Sequence, residues 1–271
     1  MASPYWDEEL AARFRQFRYE FAERALADRV IAVAGGTGGL GAAVVTLLAR
    51  DGARLVVGYR ANRERAQALS RAIAAQFGQK LQLVEGDLAE PAVRRAYQNA
   101  AEQLGQPLYG AAIFPGDPAR VPWESLDAAA MEASLRANYV APILLAKELG
   151  SQMEQSGQGS IVLLATMQAV AAFESSLNYA APKAALVHAA RILARQWRRV
   201  RVNIVAPGAT MAGMAEASVS AGKYDAYVAN HAIPRFGRPQ DVARAVRFFL
   251  EPDNYVTGQV LVVDGGLTLR R

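Results

Sequence analysis

Seven short apolar runs set the rhythm of this chain: Val30–Ala34, Arg54–Gly58, Leu81–Glu85, Leu108–Phe114, Ser160–Ala165, Arg201–Ala206 and Gln259–Val263. Longer stretches of largely helical pattern separate them. Runs of this kind, rich in Val, Ile and Leu, read as strands covered on both faces, and helical crossovers between them require parallel pairing. The pattern predicts an α/β fold, a doubly wound, Rossmann-type parallel sheet of about seven strands. No linker, composition break or internal repeat divides the 271 residues, so one domain is expected.

Two segments fall outside the rhythm. Residues 5–26 place Trp6, Leu10, Phe14, Phe17 and Phe21 at spacings of three and four, predicting an amphipathic helix with a packing role in an extension over 1–27. Residues 209–234 carry Gly213, Gly222 and many alanines with weak periodicity, the mark of a lid or binding loop.

Composition removes several function classes. The chain has no cysteine, which excludes disulfides and thiolate metal sites. His188 and His231 lack ligand spacing, and no Gly-x-Ser-x-Gly elbow is present. Apolar runs stop well short of the roughly 20 residues that span a bilayer, and acids stand where a secretory signal needs basic and then apolar residues. A cytoplasmic protein without membrane or metal is expected. The net charge of +5 is concentrated at Arg191, Arg195, Arg198, Arg199 and Arg201. Helix-end solvation explains that cluster better than nucleic-acid binding, for which no recognition motif exists.

The first run leads directly into Gly35-Gly-Thr37-Gly38-Gly39-Leu40-Gly41 and then a helical stretch. Glycines between a first strand and first helix permit positive φ, let the backbone approach a pyrophosphate, and pack helix close to strand. The free N–H groups of the helix start then face the phosphates. A site selective for NAD carries an acid after the second strand; here Tyr59-Arg60 and then Arg63 occupy that place. Arginines there suit the 2′-phosphate of NADP(H).

Tyr179-Ala-Ala-Pro-Lys183 matches the Tyr-x-x-x-Lys motif of the short-chain dehydrogenase/reductase family, which the chain resembles over about residues 28–268. Gly35-x-x-x-Gly39-x-Gly41 matches that family's cofactor turn. Asp87-Leu88 is similar to its adenine contact, and Asn138 to its helix asparagine. Pro207-Gly208 resembles the segment with the nicotinamide contacts, and the tail from Arg235 to Gly266 is similar to the 3-oxoacyl-carrier-protein reductase branch.

The resemblance implies a dinucleotide-binding catalytic domain over 28–271, a nicotinamide cofactor and a carbonyl or alcohol substrate, carrier-bound in that branch. It also implies a homotetramer or dimer. Tyr179 would pass a proton to the substrate carbonyl, and Lys183 would hold the nicotinamide ribose. Thr166, standing where the family has serine, would polarise the carbonyl, and Asn138 would support a water path to Lys183. Spaced i and i+4 on a helix, Tyr179 and Lys183 share one face, and a nearby ammonium is expected to make the phenol more acidic.

Three departures accompany the likeness. The usual Asn-Asn-Ala-Gly is Ile113-Phe-Pro-Gly116, of which only Gly116 remains. Ala212 replaces an expected threonine, for which Thr210 is a substitute. Pro182 removes a backbone donor within the helix that carries the catalytic pair. A non-catalytic NADP(H)-binding subunit or sensor is therefore the alternative reading.

Overall fold

The computed structural model describes residues 5–174, 176–213, 216–222, 224–229 and 233–269. Strands β1 (Val30–Ala34), β2 (Arg54–Tyr59), β3 (Gln82–Glu85), β4 (Leu108–Ile113), β5 (Gly159–Leu164), β6 (Val200–Pro207) and β7 (Val260–Val263) form one sheet. Its order is β3-β2-β1-β4-β5-β6-β7, with every pairing parallel. All residues of β1, β4 and β5 are buried, so apolar runs without alternation are what these positions require. The fold is the expected single α/β domain with an additional N-terminal helix; strand ends differ from the sequence reading by one residue.

Helices cover both faces. On one lie α2 (Gly39–Arg50), α3 (Arg63–Phe77) and α10 (Pro239–Leu250). On the other lie α4 (Pro91–Glu102), α6 (Ala141–Ser156) and α7 (Leu177–Gln196). Helix α5 (Ala128–Leu135) runs into α6 through a π turn over Arg136–Val140. Within 209–234 stand two short helices, α8 (Glu216–Ser220) and α9 (Asp225–Ala229). Residues 214, 215, 223 and 230–232 of that segment, His231 among them, lie outside the described residues.

The N-terminal helix corrects the sequence pattern. α1 covers Glu8–Arg15 only, and Phe17 turns into the left-handed region at φ 58°. No residue of α1 is buried, and Trp6, Phe14, Phe17 and Phe21 are all exposed. With no surface of its own chain to pack against, the amphipathic pattern sustains only a short helix here, because isolated helices are marginal in water. Phe14 instead stacks on Tyr19, with ring centroids 5.6 Å apart.

The arginine cluster also divides. Arg201 donates to the carbonyls of Phe249 and Glu251 at 2.8 Å, closing the C-terminal end of α10. Arg191, Arg195, Arg198 and Arg199 remain exposed.

Candidate active site

Strand order reverses between β1 and β4, and such a switch point opens a crevice at the carboxyl ends of the strands. The glycine turn fills one side of it. Gly35 takes φ 71°, and the Gly36 N–H donates to the Gly58 carbonyl at 2.9 Å, fastening the turn to β2. A Cβ on Gly41 would lie 2.2 Å from the Gly35 carbonyl oxygen, so only glycine fits there. Gly38 caps α2 without a side chain, leaving the first-turn N–H groups of Gly39 and Leu40 open to an anion. These features fit a dinucleotide pyrophosphate.

At the adenosine end, Tyr59 donates to Glu85 at 3.0 Å and Arg63 pairs with the same carboxylate at 2.5 Å. The Arg63 guanidinium holds Glu85 below the usual carboxylate range, with the Tyr59 hydroxyl contributing. Arg63 is thus engaged within the protein. Arg65 donates from Nε to the Thr37 carbonyl at 2.6 Å and lies against the glycine turn. Arg60 is exposed nearby. Asp87 is exposed, its carboxylate accepting from the Ala89 N–H, while Leu88 is buried beside it.

The catalytic candidates meet below the crevice. Thr166 follows β5 and lies beside Tyr179, and both side chains line the cavity. Lys183 is 1% exposed and donates to the Leu164 carbonyl at 2.9 Å, with the Pro115 carbonyl at 3.5 Å. Asn138 is fully buried in the π turn; its amide donates to the Asp117 carbonyl and accepts from the Asp117 N–H. A Cβ on Gly116 would lie 2.7 Å from Asn138 Oδ1 and 3.1 Å from Lys183 Nζ, which explains the glycine retained from the altered motif.

The expectation of an acidified phenol needs correction. Burial pushes Tyr179 up to about 12, with the Thr166 hydrogen bond pulling the other way. Burial also lowers Lys183 to about 7. Desolvation favours the neutral form of each group, and neither shift carries a contribution from the other residue.

Beyond Tyr179 opens a cavity of about 820 Å³ whose lining includes Thr166, Met167, Phe173, Leu177, Tyr224 and, at the lip, Trp123. Sequence reasoning singled out none of the last five, whose separation along the chain conceals their common wall. Pro207 and Gly208 line the same space, with the Gly208 N–H donating to the Val263 carbonyl at 3.0 Å. Thr210 is buried and its hydroxyl donates to the Gly208 carbonyl at 3.1 Å, so it serves the backbone at this point. Ala212 and Gly213 sit directly over Gly39, bringing the start of the predicted lid onto the glycine turn.

A switch-point crevice with an open helix start, and a buried lysine one helical turn from a cavity-lining tyrosine, fits a Rossmann-type oxidoreductase with a nicotinamide cofactor. The chain belongs to the short-chain dehydrogenase/reductase family: residues 34–268 match the family model described as enoyl-(acyl carrier protein) reductase. It is 36% identical to human 3-oxoacyl-[acyl-carrier-protein] reductase over 247 residues, covering 89% of this chain and 99% of that protein. It is 31% identical to cis-4-hydroxycyclohexanecarboxylate dehydrogenase of Sinomonas cyclohexanicum, across 90% and 98% of the two chains. The solved structure of levodione reductase superposes with a TM-score of 0.85 at 26% identity, covering 91% of this chain and all of that one. Among the described residues, no helix is long and apolar enough to cross a membrane, and no cluster of metal-binding side chains occurs.

Proposed function

We propose that the protein interconverts a ketone and a secondary alcohol with NADP(H), and that a 3-oxoacyl thioester is the first substrate class to test. The observation carrying this reading is that Thr166 and Tyr179 line one cavity, with the buried Lys183 one turn further along the helix of Tyr179. When bound, the reduced nicotinamide supplies the hydride. The hydroxyls of Thr166 and Tyr179 converge where a substrate carbonyl oxygen can accept from both. Tyr179, protonated through the physiological range, donates the proton that completes the alcohol. Lys183 would hold the nicotinamide ribose and return a proton to Tyr179, with Asn138 supporting a water path between solvent and the lysine.

Support for NADP(H) over NAD(H) is local. No acid ends β2, Arg60 stands free of an ion pair among the described residues, and Arg65 leans on the glycine turn. Arg63 contributes less than its position suggests, because Glu85 occupies it. Thioester substrates follow from the human relative's name, and a cavity of this size accommodates more than a small ketone. The lid over 209–234 selects the substrate, and the assembly is a homotetramer or dimer in a cytoplasmic setting.

Titration with NADPH and NADH, followed by turnover of acetoacetyl thioesters and a panel of small ketones, tests the reading. Tyr179→Phe is expected to abolish turnover with cofactor affinity nearly unchanged. Tight NADPH binding by the wild type without turnover of any carbonyl favours a sensor instead.

A further inference from the structure

Pro182 lies inside α7, between the two residues of the catalytic pair. In an α-helix the N–H of residue 182 would donate to the carbonyl of residue 178, four positions back. Proline has no N–H, and its ring crowds that carbonyl. Asn178 is buried, so its carbonyl needs a partner from within the protein.

The partner comes from another helix. Ser134, near the end of α5 and 3% exposed, donates its hydroxyl to the Asn178 carbonyl. The Ser134 hydroxyl oxygen itself accepts from the Asn138 side-chain amide at 3.1 Å. The second N–H of that amide goes to the Asp117 carbonyl, so the Asn138 donors are fully used and the orientation of its amide is fixed. The Asn178 side chain in turn donates to the Ala119 carbonyl at 3.2 Å, tying the start of α7 to the loop after β4. One hydroxyl thereby joins Asn138, the residue preceding Tyr179, and the turn that proline leaves open.

We infer that Ser134 is a positioning residue matched to Pro182: it supplies the donor that proline withholds, and so fixes Tyr179 relative to Asn138. The inference rests on Tyr179 acting as the proton donor. It requires that the importance of Ser134 depend on which residue occupies position 182. With alanine there, the helix provides its own N–H to the Asn178 carbonyl, and Ser134 keeps only its part as acceptor for the Asn138 amide.

A double-mutant cycle on the full-length enzyme measures that dependence. Ser134→Ala, Pro182→Ala and the double variant are compared by kcat, KM and urea midpoint, with Ser134→Thr as the conservative replacement. Ser134→Ala is expected to lower kcat about tenfold or more in the proline background, with KM changed less than about twofold. In the Pro182→Ala background the same change should cost less than about threefold. Ser134→Thr should restore most of the lost kcat. Equal losses in both backgrounds, including loss of the fold in both, or no loss in either, would overturn the pairing. If the wild type shows no carbonyl turnover, the functional reading fails separately, and the urea midpoints still report the coupling. A midpoint drop confined to the proline background then supports the matched pair; equal drops refute it.

Discussion

The carboxamide of Asn138 grips the backbone of Asp117 at two points, accepting from its N–H at 3.0 Å and donating to its carbonyl at 2.9 Å. The grip holds the chain just past Gly116 against the π turn. A π turn inserts one extra residue into a helical run and commonly marks a functional position. Here it lies directly before Pro142, within the first turn of α6. These contacts are made to main-chain groups of Asp117, so they do not depend on the side chains of Phe114 and Pro115.

Gly116→Ala should disturb this arrangement without unfolding the sheet. The added Cβ would meet Asn138 Oδ1 at 2.7 Å and Lys183 Nζ at 3.1 Å. We expect kcat to fall about tenfold to a hundredfold, roughly 1–3 kcal/mol of transition-state positioning. Steady-state kinetics beside a thermal melt checks it; unchanged kcat would show that the close approach is immaterial.

On the proposed function, Thr166→Ala removes one of the two hydroxyls that would meet the substrate oxygen. Loss of one such donor costs about a hundredfold to a thousandfold in kcat. Thr166→Ser keeps the hydroxyl and should stay within a few-fold of the wild type. Comparable rates for the alanine variant would remove Thr166 from the reaction.

Lys183 should leave a mark on the pH dependence of stability. Its ordinary pKa of 10.5 falls to about 7 in the fold. Between those values the unfolded chain retains a proton that the folded chain has released, so stability rises with pH. The slope is at most about 1.4 kcal/mol per pH unit. Below pH 7 both states are protonated and the slope disappears. Tyr179, raised from 10.0 to about 12, acts oppositely, and its contribution is lost as pH climbs from 10 to 12. Urea unfolding at stepped pH should show the Lys183 slope in the wild type and not in Lys183→Met.

Arg65→Ala tests cofactor choice. If this side chain serves the 2′-phosphate, NADPH affinity should drop about tenfold, near 1.4 kcal/mol, while NADH affinity changes little. Fluorescence titration of both cofactors decides; equal losses would mean that Arg65 only supports the Thr37 carbonyl.

Much of this architecture could be read from residue order because the strands that matter are buried on both faces. Val30–Ala34 and Leu108–Ile113 carry that burial as unbroken apolar runs. Glycine spacing located the turn for a similar reason, since Gly41 has no room for any other side chain. The N-terminal segment misled, because periodicity records only that a helix could present an apolar face. It does not say that a surface exists to receive it. Proximity of Lys183 to Tyr179 implied an acidic phenol, yet the enclosure around both governs their ionisation and depends on elements distant in sequence. Pro182 announced a missing donor; that Ser134 supplies one emerged only when α5 and α7 were seen together.

The reversal of strand order between β1 and β4 carries a kinetic consequence. The crevice draws on the ends of β1, β4, β5 and β6, which the chain delivers at widely separated times during synthesis. No contiguous fragment can assemble it, and parallel pairing of distant segments is intrinsically slow. Recovery of dinucleotide affinity during refolding should therefore trail the return of helical signal, making ligand capture a gauge of finished sheet assembly.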